Sequence, residues 1–154
     1  MNPTIPNVSE WFAAQVADGW FSCPPVISCD RDEILVVGAL TADVDPSEFR
    51  ERTREARMQI AREAEALFGR KVSWGVKSGD ATLLYTHLSI PIMTRLRQPE
   101  RSVLDALITG GIAKSRSEAL AWCVALVGQH QSDWLQELVD AAEAVRKVRE
   151  RGPK

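Results

Sequence analysis

Between Leu88 and Gln129 the chain reads LSIPIMTRLRQPERSVLDALITGGIAKSRSEALAWCVALVGQ, an order of start and stop signals that few folds can satisfy. Leu88, Ile90, Ile92, Thr94 and Leu96 fall on one side at period two, with Ser89, Pro91, Met93 and Arg95 on the other. Pro91 cannot donate to a ladder, so the run is predicted as an edge or dimer-seam strand starting at or after Ile92. Pro99 suits the first turn of a helix, where its missing N–H has no intrahelical partner to lose. Val103, Leu104, Leu107 and Ile108 form that helix's apolar stripe. Gly110 and Gly111 supply a residue able to take positive φ, and Ile112 can fold back in a Schellman motif, so the helix is expected to end near Thr109. Ser115-Arg116-Ser117-Glu118 is a capping box opening a second helix that continues through Leu120, Val124 and Val127.

At these residues the chain resembles the ribbon-helix-helix family of DNA-binding repressors and antitoxins. The likeness rests on Thr94-Arg95-Leu96 at the strand end, Leu104-Asp105-Ala106-Leu107 in the first helix and Ser115-Arg116-Ser117-Glu118-Ala119-Leu120 opening the second. It covers about a quarter of the chain, and its capping and packing motifs specify fold better than activity. The resemblance implies two chains pairing their strands antiparallel, a two-stranded ribbon in the major groove, and a backbone phosphate at the second helix N-terminus. Carried over by position, the base readers are Pro91, Met93 and Arg95 and the phosphate anchors are Ser115, Arg116 and Ser117, with Arg97 in the adjoining basic cluster. The sequence departs from the pattern where family readers are polar or charged: Pro91 and Met93 cannot hydrogen-bond base edges, which leaves Arg95.

Charge is unevenly spread. Through Asp45 seven acids face Arg31 alone, about −6, so with a total of −2 the remainder carries about +4. The basic residues near the ribbon are Arg95, Arg97, Arg101, Lys114 and Arg116, against Glu100 and Asp105. No apolar run approaches the roughly 20 residues of a membrane helix, and MNPTIPNVSEWF lacks a basic region followed by a hydrophobic stretch, so a soluble cytoplasmic protein without membrane contact is expected. Three cysteines, Cys23, Cys29 and Cys123, without a CxxC pair, are neither a disulfide framework nor a zinc site.

Upstream, Ser9 is a candidate N-cap for a short helix carrying Trp11, Phe12 and Val16, and the aromatics through Trp20 and Phe21 are expected to plug one end of a core. Val26 to Leu40 reads as a hairpin turning at Asp30-Arg31-Asp32, its Ile34 to Val37 run apolar on both faces as in a central strand. Those clustered carboxylates are read as a solvated turn rather than a metal site. Asp45 caps a helix with Pro46 at its first position and Glu48 closing the box; it is expected to run unbroken to Phe68. Phe49, Thr53, Ala56, Ile60, Ala64 and Leu67 are its apolar stripe, leaving Arg50, Arg54 and Arg57 toward water. Lys71 to Lys77 and Ala81 to His87 flank Ser78-Gly79-Asp80 as a second hairpin, which joins the ribbon segment either as one bent strand or, preferably, as two strands separated at Pro91. Ser132 is a fresh N-cap for a last helix with Trp134, Leu135, Leu138, Ala142 and Val145 on one stripe and a basic end.

The expected fold is α+β: an N-terminal antiparallel ββαββ domain over residues 1–87, a ribbon-helix-helix-like module over 88–131, and a C-terminal amphipathic helix over 132–154. His87 and His130 stand forty-three residues apart, Cys123 reads as a small hydrophobe, and GxSxG, glycine-rich phosphate loop and HExxH motifs are absent, so no catalytic residue, metal or cofactor is expected. The resemblance makes the chain a homodimeric regulator of double-stranded DNA. The alternative is a non-catalytic interaction or scaffold protein whose ribbon only dimerises and whose Met93 faces a protein partner. A third reading places a small molecule among Trp11, Trp20 and Trp74.

Overall fold

The computed structural model describes residues 7–153 and divides into two compact units whose boundary falls between Pro91 and Ile92. It is mixed α+β, with one four-stranded sheet and six helices among the described residues. The first unit runs α1 (Val8–Gln15), β1 (Val26–Cys29), β2 (Glu33–Ala39), α2 (Pro46–Arg52), α3 (Arg54–Phe68), β3 (Lys71–Ser78) and β4 (Ala81–Leu84). The second holds α4 (Gln98–Thr109), α5 (Arg116–His130) and α6 (Ser132–Arg151).

The sheet order is β1-β2-β3-β4. Its two hairpins pair antiparallel as expected, but β2 and β3 pair parallel, Ile34 opposite Val72 and Val36 opposite Trp74, which corrects the all-antiparallel arrangement. The reason lies in the connection: a helical crossover carries the chain back to the end of the sheet from which β2 started, so the next strand runs the same way. These two strands are the centre, and Ile34 and Val36 are fully buried, as are most of the residues from Val72 to Val76. Phe12 on α1 and Ile60 and Ala64 on α3 close the main core over them.

The aromatics do plug this core. Trp11 meets Phe68 edge-on at 5.7 Å, Phe12 meets Trp74 at 6.0 Å, and Trp20 meets Phe49 at 5.9 Å. Each fully buried large side chain contributes about 1.5–3 kcal/mol relative to exposure. Trp74 carries a cost with that gain, because its indole Nε1 is buried with no acceptor among the described residues. Trp11 and Trp20 pack against the buried cluster that holds Trp74, and Trp20 meets Trp74 edge-on at 6.5 Å, which speaks for the core reading of these rings over the small-molecule one.

The long helix is interrupted at Thr53 (φ −98°, ψ 0°) instead of running unbroken from Pro46 to Phe68. The Thr53 hydroxyl donates to the Phe49 carbonyl at 2.7 Å, a back-bond of the kind that bends helices, and accepts from Arg57 Nε at 2.9 Å. Arg57 is therefore inside: it is 6% exposed, while Ala56 and Leu67, expected on the stripe, face solvent. Asp45 caps as expected, accepting from the Ser47 and Glu48 N–H groups at 2.9 Å each. The cap of α1 is Asn7, not Ser9; the Asn7 side chain accepts from Ser9 N–H.

Candidate nucleic-acid interface

The second unit is assembled around Leu104, Ala113 and Ala119, with Leu96, Leu107, Ile108, Leu120 and Cys123 packed against them. The turn between α4 and α5 follows the expected chemistry closely. Gly111 takes φ +78°, its N–H donates to the Ile108 carbonyl at 3.0 Å, and the Ile112 N–H donates to the Leu107 carbonyl at 2.9 Å. Those are the paired bonds of a Schellman motif. Beyond it, the Ser115 hydroxyl accepts from Glu118 N–H at 3.2 Å, and the Glu118 carboxylate reaches back one residue further than expected, to the Lys114 N–H at 2.7 Å.

This capped start leaves the first N–H groups of α5 without intrahelical partners, at the positive end of the helix dipole. Arg116 and Ser117 stand there as its first two residues. Arg116 is engaged by Asp105 of α4 through two parallel bonds, Nε to Oδ1 and Nη2 to Oδ2, both 2.8 Å. The guanidinium holds the Asp105 carboxyl below its ordinary range, and the carboxylate in turn raises the Arg116 pKa.

Residues 85–97 contain no strand, so the expected strand is not formed within the chain. A strand exists through its ladder, and β4, the last strand of the sheet, ends at Leu84. Only Leu96 is tied into the second unit's core from this stretch; Ile92 and Met93 are 86% and 95% exposed. An open cavity of about 340 Å³ joins this segment to α5: Met93, Arg116 and Ser117 line it together with Ile92, Thr94 and Arg101. Arg95, Arg97 and Ser115 do not line it: Arg95 is exposed, the Arg97 carbonyl accepts from Arg101 N–H at the start of α4, and Ser115 is spent on the cap. Arg101, a member of the basic cluster, is brought in by its place one turn after Arg97, where its Nη1 donates to the Leu96 carbonyl at 2.7 Å.

The last two helices leave apolar surface uncovered. Val124, Val127, Trp134, Leu138 and Val145 are exposed, and α6 has no buried residue. Its N-cap is Gln131, without a side-chain bond; Ser132 is already helical. His87 lies outside any element and His130 ends α5, both exposed. Among the described residues no three His, Cys, Asp or Glu side chains converge as metal ligands, and no helix is long and apolar enough to cross a membrane.

Two family models match this chain. Residues 6–84 match the N-terminal domain of Rv1265-like proteins, and residues 97–149 match the Mb1296 C-terminal domain. Among curated relatives, uncharacterized protein Rv1265 of Mycobacterium tuberculosis and uncharacterized protein Mb1296 of Mycobacterium bovis are each 46% identical to the chain over 163 residues. Those alignments take in 98% of this chain and 72% of either relative. No solved structure matches the chain.

Proposed function

The chain belongs to the Rv1265-like protein family, and for this member we propose a homodimeric, DNA-binding transcriptional regulator, with an N-terminal ββαββ domain and a C-terminal module of ribbon-helix-helix type. The observation that carries this reading is the cavity that joins the exposed Ile92–Met93 segment to the capped N-terminus of α5, with Arg101, Arg116 and Ser117 among its lining. Two such segments, paired antiparallel across a twofold axis, form the ribbon; Arg95 on its outer face contacts a base edge, and Arg116 with the free N–H groups of α5 holds a phosphate. Asp105 keeps the Arg116 fork in one orientation until a phosphate replaces it.

The test is retention of random genomic duplex fragments by the purified protein over a salt series, with sequencing of what is retained. A regulator enriches a palindrome and loses affinity steeply with salt. Arg95→Ala is then expected to cost about 1–3 kcal/mol at one base pair and relax specificity there. Arg116→Ala is expected to weaken binding to all sequences and flatten the salt slope by about one unit. Equal, salt-insensitive behaviour of the two variants would sink the assignment.

One observation favours a second reading, a non-catalytic interaction protein: the exposed side chain of Met93 is a flexible thioether suited to apolar partners. A nuclease-insensitive pull-down of one stoichiometric protein, with no palindrome enriched, is its signature.

A further inference from the structure

Arg57 is a charged side chain in the interior of the first unit with no carboxylate at ion-pair distance among the described residues. What it has instead is neutral. Its Nε donates to the Thr53 hydroxyl at 2.9 Å, its Nη2 donates to the Arg50 carbonyl at 2.7 Å, and its guanidinium lies 4.8 Å from the centre of the Tyr85 ring. Nη1 has no acceptor among the described residues. Tyr85 is itself fixed, its hydroxyl donating to the Pro46 carbonyl at 2.9 Å and its ring carrying a second cation, Arg50, at 5.4 Å. Guanidinium is too basic to shed its proton, so burial leaves a positive charge that water screens only in part.

That charge opens on a space. A cavity of about 280 Å³ is walled by Arg50, Arg54, Arg57, Tyr85 and Thr86, with Glu51 and Met58 also on its lining. Three guanidinium groups face one carboxylate, and no ion pair within 4.0 Å joins Glu51 to any of them. Tyr85 is the one aromatic residue on the lining, and two guanidinium groups already lie over its ring. What is left is a set of N–H donors, the Thr86 hydroxyl and the exposed Met58 side chain around a small volume.

We propose that this cavity is a binding site for a compact oxyanion, a phosphate or carboxylate group held by Arg50, Arg54 and Arg57. Bidentate pairing of a guanidinium with such a group satisfies donors and charge together. The site lies wholly in the first unit and stands independently of DNA binding by the second.

The test uses the full chain with inorganic phosphate and, separately, succinate, each against sodium chloride at matched ionic strength. Either oxyanion is expected to raise the thermal midpoint and to bind saturably by calorimetry, and whichever binds more tightly identifies the group. Arg54→Gln, at an exposed position that carries none of the core, is expected to weaken binding about tenfold, the loss of one charge-assisted contact worth about 1.4 kcal/mol. Arg62→Gln, exposed on the same helix away from the cavity, leaves binding unchanged. A second readout is the ultraviolet ionisation of the chain's one tyrosine, which a bound anion shifts to higher pH by neutralising the arginines beside it. Chloride acting as strongly as phosphate and succinate, or an Arg54→Gln variant that binds both as the parent does, would overturn the proposal.

Discussion

The ring of Phe21 occupies the space that a β-carbon on Gly38 would need: built there, that carbon would lie 2.2 Å from two ring atoms. Gly38 is on the central strand β2 opposite Val76 of β3, so backbone movement to relieve the overlap would disturb that pairing. Gly38→Ala is expected to destabilise the fold by about 1–3 kcal/mol, read as a lower urea midpoint, and Phe21→Leu in the same background is expected to recover part of it. Tyr85 supports a prediction of another kind. Burial raises its pKa, and the opposing pull of Arg57 and Arg50 does not cancel that rise. The folded chain therefore keeps a proton that the unfolded chain has begun to lose at about pH 10. Stability is present in full below that pH and falls as pH rises through the folded value. Because the chain has one tyrosine, its alkaline difference spectrum reports this group alone; the midpoint is expected above that of the chain in denaturant.

At the scale of elements, most helix ends are legible, since a cap depends on side chains within a few residues of the bonds it satisfies; α1 and α6 are the exceptions, capped by Asn7 and Gln131 rather than Ser9 and Ser132. Ser115 is the clearest instance: Ser115→Ala is expected to cost about 1 kcal/mol, seen as a lower thermal midpoint without change in sheet content. The Gly110-Gly111 turn and the Asp45 cap were equally readable. What was not readable depends on distant neighbours. Nothing within β2 or β3 encodes that they run parallel; that follows from where the α2–α3 crossover delivers the chain. Its charge alone places Arg57 toward solvent, yet Phe49, Thr53, Arg57, Ile60 and Ala64 follow a spacing of three and four as regular as the stripe that runs through Ala56. A neutral cradle of Thr53, the Arg50 carbonyl and Tyr85, the last some thirty residues downstream, makes its burial tolerable, and no local pattern announces it. Of the candidate interface, Met93, Arg116 and Ser117 do come together, whereas Arg101 gains its place only once Leu96 has folded onto α4.

For the whole molecule, the apolar surface of the second unit is the property that most needs a physical account. Its core holds three buried residues, while Ile92, Met93, Val124, Val127, Trp134 and Leu138 remain exposed. Scattered apolar residues are ordinary on a surface, but a segment with unpaired backbone bearing two apolar side chains at 86% and 95% exposure is a template for pairing with another strand. On the proposed function, ribbon formation between two copies would satisfy that backbone and, by the period-two pattern, would turn Ile92 inward with Leu96 while Met93 and Arg95 face out. The two sides of the segment are thus expected to respond differently to charge. Ile92→Asp places a carboxylate in the seam, and sedimentation over a concentration series is expected to show a dimer in the parent and a dissociation constant at least about tenfold weaker in the variant, a cost of about 1.4 kcal/mol or more. Met93→Asp on the outer side is expected to leave the dimer intact and to weaken retention of duplex DNA by repulsion from phosphate. Should Ile92→Asp sediment as the parent does, the segment is not the seam and the ribbon reading fails; should Met93→Asp alone dissociate the dimer, the register is shifted by one residue and the readers must be sought on the opposite side.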